Sequence, residues 1–131
     1  MYERKECYSI PAVLSLVPEK KDKRCKEDFD GDMMKMCSDR YYTFLKSTQC
    51  AHCGIEGAFF AKERSLNKRG VPTSETYHFN LYAYDDNGNE VLMTKDHIIP
   101  RSRGGKDHVD NYTCMCTTCN RNKGSKLESE L

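Results

Sequence analysis

The chain has 131 residues, 37% of them hydrophobic and none of them Trp, which leaves room for one domain with a modest core. The N-terminus, MYERKECYSIP, lacks the apolar stretch of a secretory signal, so a disulfide framework is not expected for the eight cysteines. No apolar run is long enough to span a membrane. We therefore expect a protein of the cytoplasm that makes no membrane contact.

The first third of the chain gives the weakest signals. Residues 9–17 can form one or two helical turns with Pro11 at an early position. The charged run 19–32 is predicted to be an exposed helix or linker. Asp32 can then cap an amphipathic helix from about Met33 to Lys46, whose apolar positions recur at spacings of three and four: Met34, Cys37, Tyr41 and Leu45.

Cysteine spacing predicts a zinc site. Cys50 and Cys53 form a C-x-x-C-G knuckle, and Cys116 and Cys119 form a second C-x-x-C pair. Four thiolates at this spacing would by themselves indicate a structural zinc ribbon. The remaining cysteines lack ligand spacing and are predicted to be packed or exposed thiols: Cys7, Cys25, Cys37 and Cys114.

A β-hairpin is predicted between the two cysteine pairs, after a basic surface loop at residues 62–76. Residues 77–84 alternate in strand periodicity, Asn87-Gly88 is a two-residue turn signal, and residues 90–98 return. A two-residue loop pairs positions whose numbers sum to about 175, which sets His78 across from His97 on one face.

Polar side chains of the kind that carry out chemistry are concentrated in residues 95–124. Asp96 and His97 end the return strand, because Pro100 cannot continue the ladder. A Gly-rich basic loop, residues 101–107, leads to a second strand at residues 109–115 that carries Asn111.

A short helix over residues 116–126 is predicted next. It directs Cys116 and Cys119 to the zinc site, whereas Asn120 is turned about 100° from Cys119 and shares a face with Lys123. Strand, loop, strand and helix with a zinc clasp form a ββα-metal arrangement. The predicted fold class is therefore α+β, a ββα-metal core stapled by a four-cysteine zinc site and preceded by a helical extension and a β-hairpin.

The charge of this segment differs from that of the whole chain, whose formal net charge is +1. Residues 95–126 contain seven Lys or Arg side chains against three Asp. Such a segment suits a polyanionic partner, and an exposed lysine-rich surface is the equally weighted alternative.

The order D-H-I-x-P, G-G, N, C-x-x-C-N-x-x-K-G, with the upstream C-x-x-C-G, resembles the HNH nuclease family over residues 50–126. The three family positions correspond to His97, Asn111 and Asn120. Asn120 stands where a His is expected, which makes the chain an H-N-N variant. An amide oxygen is a harder ligand than imidazole and favours Mg²⁺ or Mn²⁺.

The resemblance implies a role for each of these residues. His97 would be the general base that activates water, Asp96 and Asn120 would hold the catalytic ion, and Asn111 would orient His97 and its loop. His78 is a candidate auxiliary donor or a structural neighbour. The candidates for phosphate contacts are Arg101, Arg103 and Lys123.

The predicted organisation is an N-terminal helical extension (1–49) packing on the core, a zinc-stapled nuclease domain (50–126) and a tail (127–131). The predicted activity is a Mg²⁺- or Mn²⁺-dependent DNA endonuclease that cuts one strand per site, acting as a monomer or homodimer. The alternatives are a nuclease acting on RNA and a non-catalytic zinc-bound module that binds nucleic acid or protein. The resemblance also suggests a bacterial or phage-infected cell and a phage, restriction or packaging partner protein.

Overall fold

A computed structural model describes residues 1–21 and 24–124, which form a mixed fold of strands with a few short helices. The strands are β1 (Tyr2–Tyr8), β2 (Lys26–Phe29), β3 (Asp32–Lys35), β4 (Gly57–Ser65), β5 (His78–Tyr84), β6 (Glu90–His97) and β7 (Tyr112–Cys116). The helices are α1 (Ile10–Leu14), α2 (Asp39–Lys46) and α3 (Thr117–Lys123), with short 3₁₀ helices at Arg101–Arg103 and Val109–Asn111.

An antiparallel sheet in the order β1-β4-β5-β6-β7 organises the described residues. Strand β6 changes partner along its length: residues 90–92 pair with β5, and residues 93–97 pair with β7. The end of β6 that carries Asp96 and His97 therefore belongs to a β6–β7 hairpin, against which α3 packs. No helix within the described ranges has the length and apolar character needed to cross a membrane.

Residues 1–49, predicted to be a helical extension, contain the helices α1 and α2 but also the strands β1, β2 and β3. Strand β1 pairs with β4 as an edge strand of the main sheet, so the N-terminus belongs to the same sheet as β5 to β7. A partly buried ion pair joins β1 to β4: Arg4 Nε donates to the buried Glu63 Oε2 at 2.7 Å. The other oxygen of Glu63 accepts from Asn80 Nδ2 and from the Tyr82 hydroxyl.

Helix α2 is shorter than predicted and begins later. Ser38, not Asp32, is its N-cap, and the Ser38 hydroxyl accepts from the Arg40 backbone N–H. Asp32–Lys35 instead forms β3, which pairs with β2, so the charged run before it is partly a strand and not a helix or linker. Both Asp and Ser are good N-caps, and the pairing of β2 with β3 decides between them. The predicted helix of residues 9–17 is confirmed in part as α1, capped by Ser9.

The core lies between the sheet and the helices and is built largely from aromatic rings. Phe79 is fully buried and meets Phe29, Phe60 and Tyr41 in edge-to-face contacts, with ring centroids 4.8–6.3 Å apart. The Tyr41 hydroxyl also accepts from the Phe79 backbone N–H, which fixes α2 against β5. The predicted loop at 62–76 begins later than expected, because β4 continues to Ser65.

The β5–β6 hairpin exists, but its predicted register is wrong by one position. Tyr84 pairs with Glu90, and the loop is one residue longer because Asp85 faces Asn89 and Gly88 takes a φ of +79°. The prediction that His78 faces His97 fails for this reason and because the two strands are not paired beyond Tyr82 and Leu92. His97 is instead opposite Tyr112 on β7.

Candidate functional site

The four predicted zinc ligands come together. The Sγ atoms of Cys50, Cys53, Cys116 and Cys119 all lie within 4.8 Å of one another. The Cys53 and Cys116 sulfurs are 3.8 Å apart. Two ligands of a tetrahedral ion with Zn–S bonds of about 2.3 Å would be separated by about 3.8 Å. The donor set and its spacing therefore fit a metal ion such as zinc.

The electrostatics of this cluster also favour a cation. Burial raises the pKa of the Cys50 thiol, but hydrogen bonds from the backbone amides of Cys116, Cys53 and His52 more than offset it and lower the pKa to about 7. Burial raises the pKa of Cys116 and of Cys119. Four sulfurs this close cannot all become thiolates without a positive ion between them.

The cysteine that precedes this cluster in β7, Cys114, stays outside it. Burial raises the pKa of Cys114 to about 12, and its backbone oxygen accepts from the Ala51 N–H at 2.9 Å. The knuckle thus attaches to β7 by a main-chain hydrogen bond, and the Cys114 thiol acts as a small packed side chain.

Helix α3 faces the cysteine cluster and the end of β6 from two sides. Cys116 is its N-cap and Cys119 lies one turn on, with both sulfurs in the cluster. On another side, Asn120 Nδ2 donates to Thr94 Oγ1 on β6 at 2.9 Å. That contact leaves the Asn120 amide oxygen free of hydrogen bonds from the described residues.

Lys123, also on α3, is buried and forms the tightest contact between the helix and β6. Its ammonium lies 2.6 Å from Asp96 Oδ2 and 2.6 Å from the His97 backbone oxygen. The lysine side chain is 1% exposed and that of Asp96 14% exposed, so the pair is largely shielded from water. The sequence suggested a phosphate contact for Lys123, but its ammonium group is already paired with the Asp96 carboxylate.

His97 is held by a residue that the sequence reasoning missed. Its Nε2 lies 2.7 Å from Asp107 Oδ1, and the same oxygen accepts from Arg101 Nε at 2.7 Å. Hydrogen bonds from Arg101 and then from His97 lower the pKa of Asp107. An acidic residue in an otherwise basic Gly-rich loop, ten positions after a candidate catalytic histidine, was the available signal.

Asn111 fastens the loop that carries these residues. Its Nδ2 donates to the backbone oxygens of Ile99 and Lys106 at 3.0 and 2.8 Å, and its Oδ1 accepts from the Ile99 N–H at 2.9 Å. Asn111 lies in the second 3₁₀ helix, just before β7, and not on the strand as predicted. Every polar atom of the side chain is used to hold main chain, which makes the loop a closed ring.

Gly105 lets that ring close. A Cβ atom at this position would come within 1.6 Å of the Ile99 backbone oxygen. The Gly105 N–H donates to the Pro100 oxygen at 2.9 Å, so the main chain has to pass this close. The loop between β6 and the second 3₁₀ helix is therefore fixed at both of its ends.

The start of the fastened loop and the end of α3 border an open cavity of about 490 Å³ at the end of β6. Its lining contains Asp96, His97, Arg101 and Lys123, which the sequence singled out for one site. Arg103 is exposed on the same 3₁₀ helix as Arg101. His78 lies elsewhere, opposite Glu63 on β4 and against the Tyr2 ring.

Comparison with known families agrees with the predicted resemblance. Residues 85–131 match the model of a family described as HNH endonuclease, which identifies this part of the chain as an HNH domain. The match begins in the β5–β6 hairpin and includes Asp96, His97, Asn111 and Asn120. Neither the curated proteins nor the solved structures gave a match. The family indicates a nuclease with a nucleic acid as its substrate.

Proposed function

We propose that the protein is a divalent-metal-dependent DNA endonuclease whose catalytic centre is the cavity at the end of β6. In this proposal β6, β7 and α3 are the ββα-metal core, and the four-cysteine cluster binds a structural zinc. The observation that carries it is the meeting of Asp96, His97 and Arg101 in one cavity, with His97 Nε2 held by Asp107. A structural zinc staple requires none of these contacts.

His97 is the general base in this proposal. Asp107 is ionised at neutral pH, because hydrogen bonds from Arg101 and His97 lower its pKa, and its Oδ1 accepts a hydrogen bond from the Nε2–H of the imidazole. In the neutral ring the lone pair then lies on Nδ1, which takes the proton of the attacking water. Asp107 fixes both the tautomer and the direction of the ring.

Arg101 is the best candidate for a contact with the substrate phosphate. Its side chain is 71% exposed and lines the cavity, while its Nε is bonded to Asp107. The terminal nitrogens of the guanidinium can therefore donate to a phosphate oxygen in line with His97. Arg103 can contact a flanking phosphate from the same 3₁₀ helix.

Two oxygen ligands remain for the catalytic divalent ion. Asp96 Oδ1 and Asn120 Oδ1 receive no hydrogen bond from the described residues, and Thr94 holds the Asn120 amide so that its oxygen is the free atom. These hard oxygen donors fit Mg²⁺ or Mn²⁺. Bound there, the ion would stabilise the charge that develops on the phosphate and the leaving oxygen.

Plasmid cleavage tests the proposal. Supercoiled DNA is incubated with the protein in Mg²⁺, Mn²⁺, Zn²⁺ or EDTA, and a labelled RNA is tested in parallel. We expect nicked circles with Mg²⁺ or Mn²⁺ and none in EDTA, because one site cuts one strand. Conversion to linear DNA in a single step would indicate a homodimer.

Two variants assign the residues. His97→Ala should reduce nicking by at least about 10²-fold and retain zinc and cooperative unfolding, whereas His108→Ala, at an exposed histidine of the same loop, should cut normally. Nicking by His97→Ala at the wild-type rate contradicts the proposal. Asn120→Ala should raise the Mg²⁺ concentration needed for half-maximal rate, and an unchanged requirement argues against its ligand role.

A further inference from the structure

A second cavity, of about 770 Å³, lies between the β2–β3 hairpin, the start of α2 and the beginning of β5. Its lining includes a single carboxylate, that of Asp39. Five cationic side chains also line it: Lys21, Lys26, Lys35, Arg40 and Lys95. Asp39 is already paired with Lys21. We refer to Lys26, Lys35, Arg40 and Lys95 as the basic cleft.

Neutral groups position two of the cleft cations without cancelling their charge. Arg40 Nη2 donates to the amide oxygen of Asn80 at 2.7 Å. Lys95 Nζ lies over the Tyr112 ring, 4.1 Å from its centroid. An amide and an aromatic face orient a cation but leave its full charge available to an anion.

The other two cations occupy an arrangement that folding alone does not favour. Lys26 and Lys35 are direct partners across the β2–β3 pair, and both are exposed. Like charges directly opposite each other destabilise a strand pair. Neither lysine has an ion-pair partner among the residues that the structure describes. An anion bound between them would turn this repulsion into attraction.

The positive charge of the cleft affects the pKa of His78, which lines the same cavity. Burial lowers the pKa of His78, and the positive charge of Arg40 lowers it further, with the buried Glu63 acting in the opposite direction. The cleft is therefore a positively charged depression with few compensating acids, as an anion-binding surface requires.

Tyr112 connects the basic cleft to the cavity at the end of β6. Lys95 and His97 are two residues apart on β6, so both side chains lie on one face of the strand. The Tyr112 ring contacts both, with 4.1 Å from its centroid to Lys95 Nζ and 5.0 Å to the centroid of the His97 ring. The two cavities are thus neighbours along a single face.

We infer that the basic cleft binds backbone phosphates of the nucleic-acid substrate that flank the phosphate cut at His97. The inference rests on the proposed nuclease function and adds a binding site whose Lys26, Lys35 and Arg40 lie outside the residues matched by the family model. It assigns to β2, β3 and α2 the task of holding the substrate on one side of the cut.

Equilibrium binding to a duplex of about 30 base pairs tests the inference. The protein carries His97→Ala, so that binding is measured without cleavage, and the cleft is altered by Lys26→Gln with Lys35→Gln. The matched control is Lys68→Gln with Arg69→Gln, which removes two positive charges from an exposed loop outside both cavities. Thermal unfolding confirms that each variant is folded.

The cleft variant should bind about tenfold to a hundredfold more weakly at about 0.1 M salt, and its log–log salt slope should fall by about 2. Shortening the duplex on one side of the cut should abolish the difference between variant and parent. Equal affinity and equal slope in the cleft variant and the control would overturn the inference.

Cleavage assays on the same cleft and control variants with His97 intact separate this inference from the nuclease proposal. If the wild-type chain nicks plasmid and the cleft variant nicks long and short duplexes as the control does, the cleft inference fails and the nuclease proposal stands. If no variant cleaves but the cleft variant alone loses affinity, the nuclease proposal fails and the binding site stands.

Discussion

His97 and Asp107 are ten positions apart in the chain, and their side chains meet with 2.7 Å between Nε2 and Oδ1. The contact joins the end of β6 to the far side of the Gly-rich loop. It depends on the ring that Asn111 closes, since Asn111 holds the Ile99 and Lys106 main chain on either side. His97 at the end of β6 is thereby joined to a carboxylate and an exposed arginine of one fastened loop.

Asp107→Asn should lower the cleavage rate by about 10²-fold with little change in substrate affinity. The amide can donate to Nε2, which favours the tautomer with its proton on Nδ1 and removes the lone pair from the side that meets water. Single-turnover nicking rates and binding of the duplex measure the two effects separately.

Asp110→Asn is the matched control, because Asp110 is exposed on the same loop and its carboxylate has His108 as its one ion-pair partner within residues 1–21 and 24–124. It should cleave at the wild-type rate. If Asp107→Asn is as active as this control, the Asp107 carboxylate has no part in orienting His97.

Gly105→Ala should disorder the loop and remove most of the activity, because its Cβ would fall 1.6 Å from the Ile99 oxygen. The neighbouring substitution Gly104→Ala introduces the same methyl group, but no atom lies within 4 Å of its Cβ. Its only cost is that an alanine must adopt the φ of +86°, which destabilises the protein by roughly 1 kcal/mol. Hydrogen exchange at the Ile98 and Gly105 amides reports on the loop directly.

Gly105→Ala should lose protection at these two amides, while Gly104→Ala should keep most of its protection and most of its activity. Similar behaviour of the two variants would mean that the close approach at Gly105 does not control the loop.

Parts of this site that depend on local spacing could be predicted from the sequence, and parts that depend on contacts between distant residues could not. The cysteine cluster could be predicted because each C-x-x-C spacing sets both sulfurs on one side of the chain, whereas Asn111 was expected on a strand and lies in a 3₁₀ helix. Asp107 was missed because its meeting with His97 depends on how the loop closes. The hairpin register failed by one residue because Asp85 Oδ1 accepts from the Asn87 and Asn89 amides and supports a longer loop.

The N-terminal third could not be predicted for a different reason. Strand β1 pairs with β4 more than fifty positions away, and residues 2–8 show neither the alternation of a strand nor a neighbouring turn signal. The Asp32–Lys35 segment has a helical apolar pattern when it is read with the residues that follow. Pairing with β2 overrides that pattern, which places Met34 in the core from a strand.

Removal of metal from the cysteine cluster should unfold the protein cooperatively at a lower temperature, because binding free energy at such a site is folding free energy. Cys50→Ser should lose its zinc and its cooperative transition. Cys7→Ser, at an exposed cysteine outside the cluster, is the control and should retain one zinc per chain. The measurements are metal content by mass spectrometry and thermal unfolding with and without a chelator.

The affinity of the cluster for metal should fall as the pH is lowered, because four thiols must release protons to bind it. Acidification should therefore release zinc from the wild-type chain and unfold it over the same pH range. A Cys50→Ser chain that unfolds at the wild-type temperature in chelator and in zinc alike would contradict a structural metal at this cluster.

Lys123→Met should destabilise the metal-free protein by about 3 kcal/mol, since breaking a buried ion pair leaves the Asp96 carboxylate uncompensated. Mg²⁺ or Mn²⁺ should restore part of this stability, because a divalent ion at Asp96 supplies the missing positive charge. Lys106→Met, at an exposed lysine of the Gly-rich loop, should alter stability little in either condition. Thermal unfolding of the three proteins in EDTA and in Mg²⁺ gives the comparison. An equal effect of Mg²⁺ on Lys123→Met and on Lys106→Met would argue against an ion at Asp96.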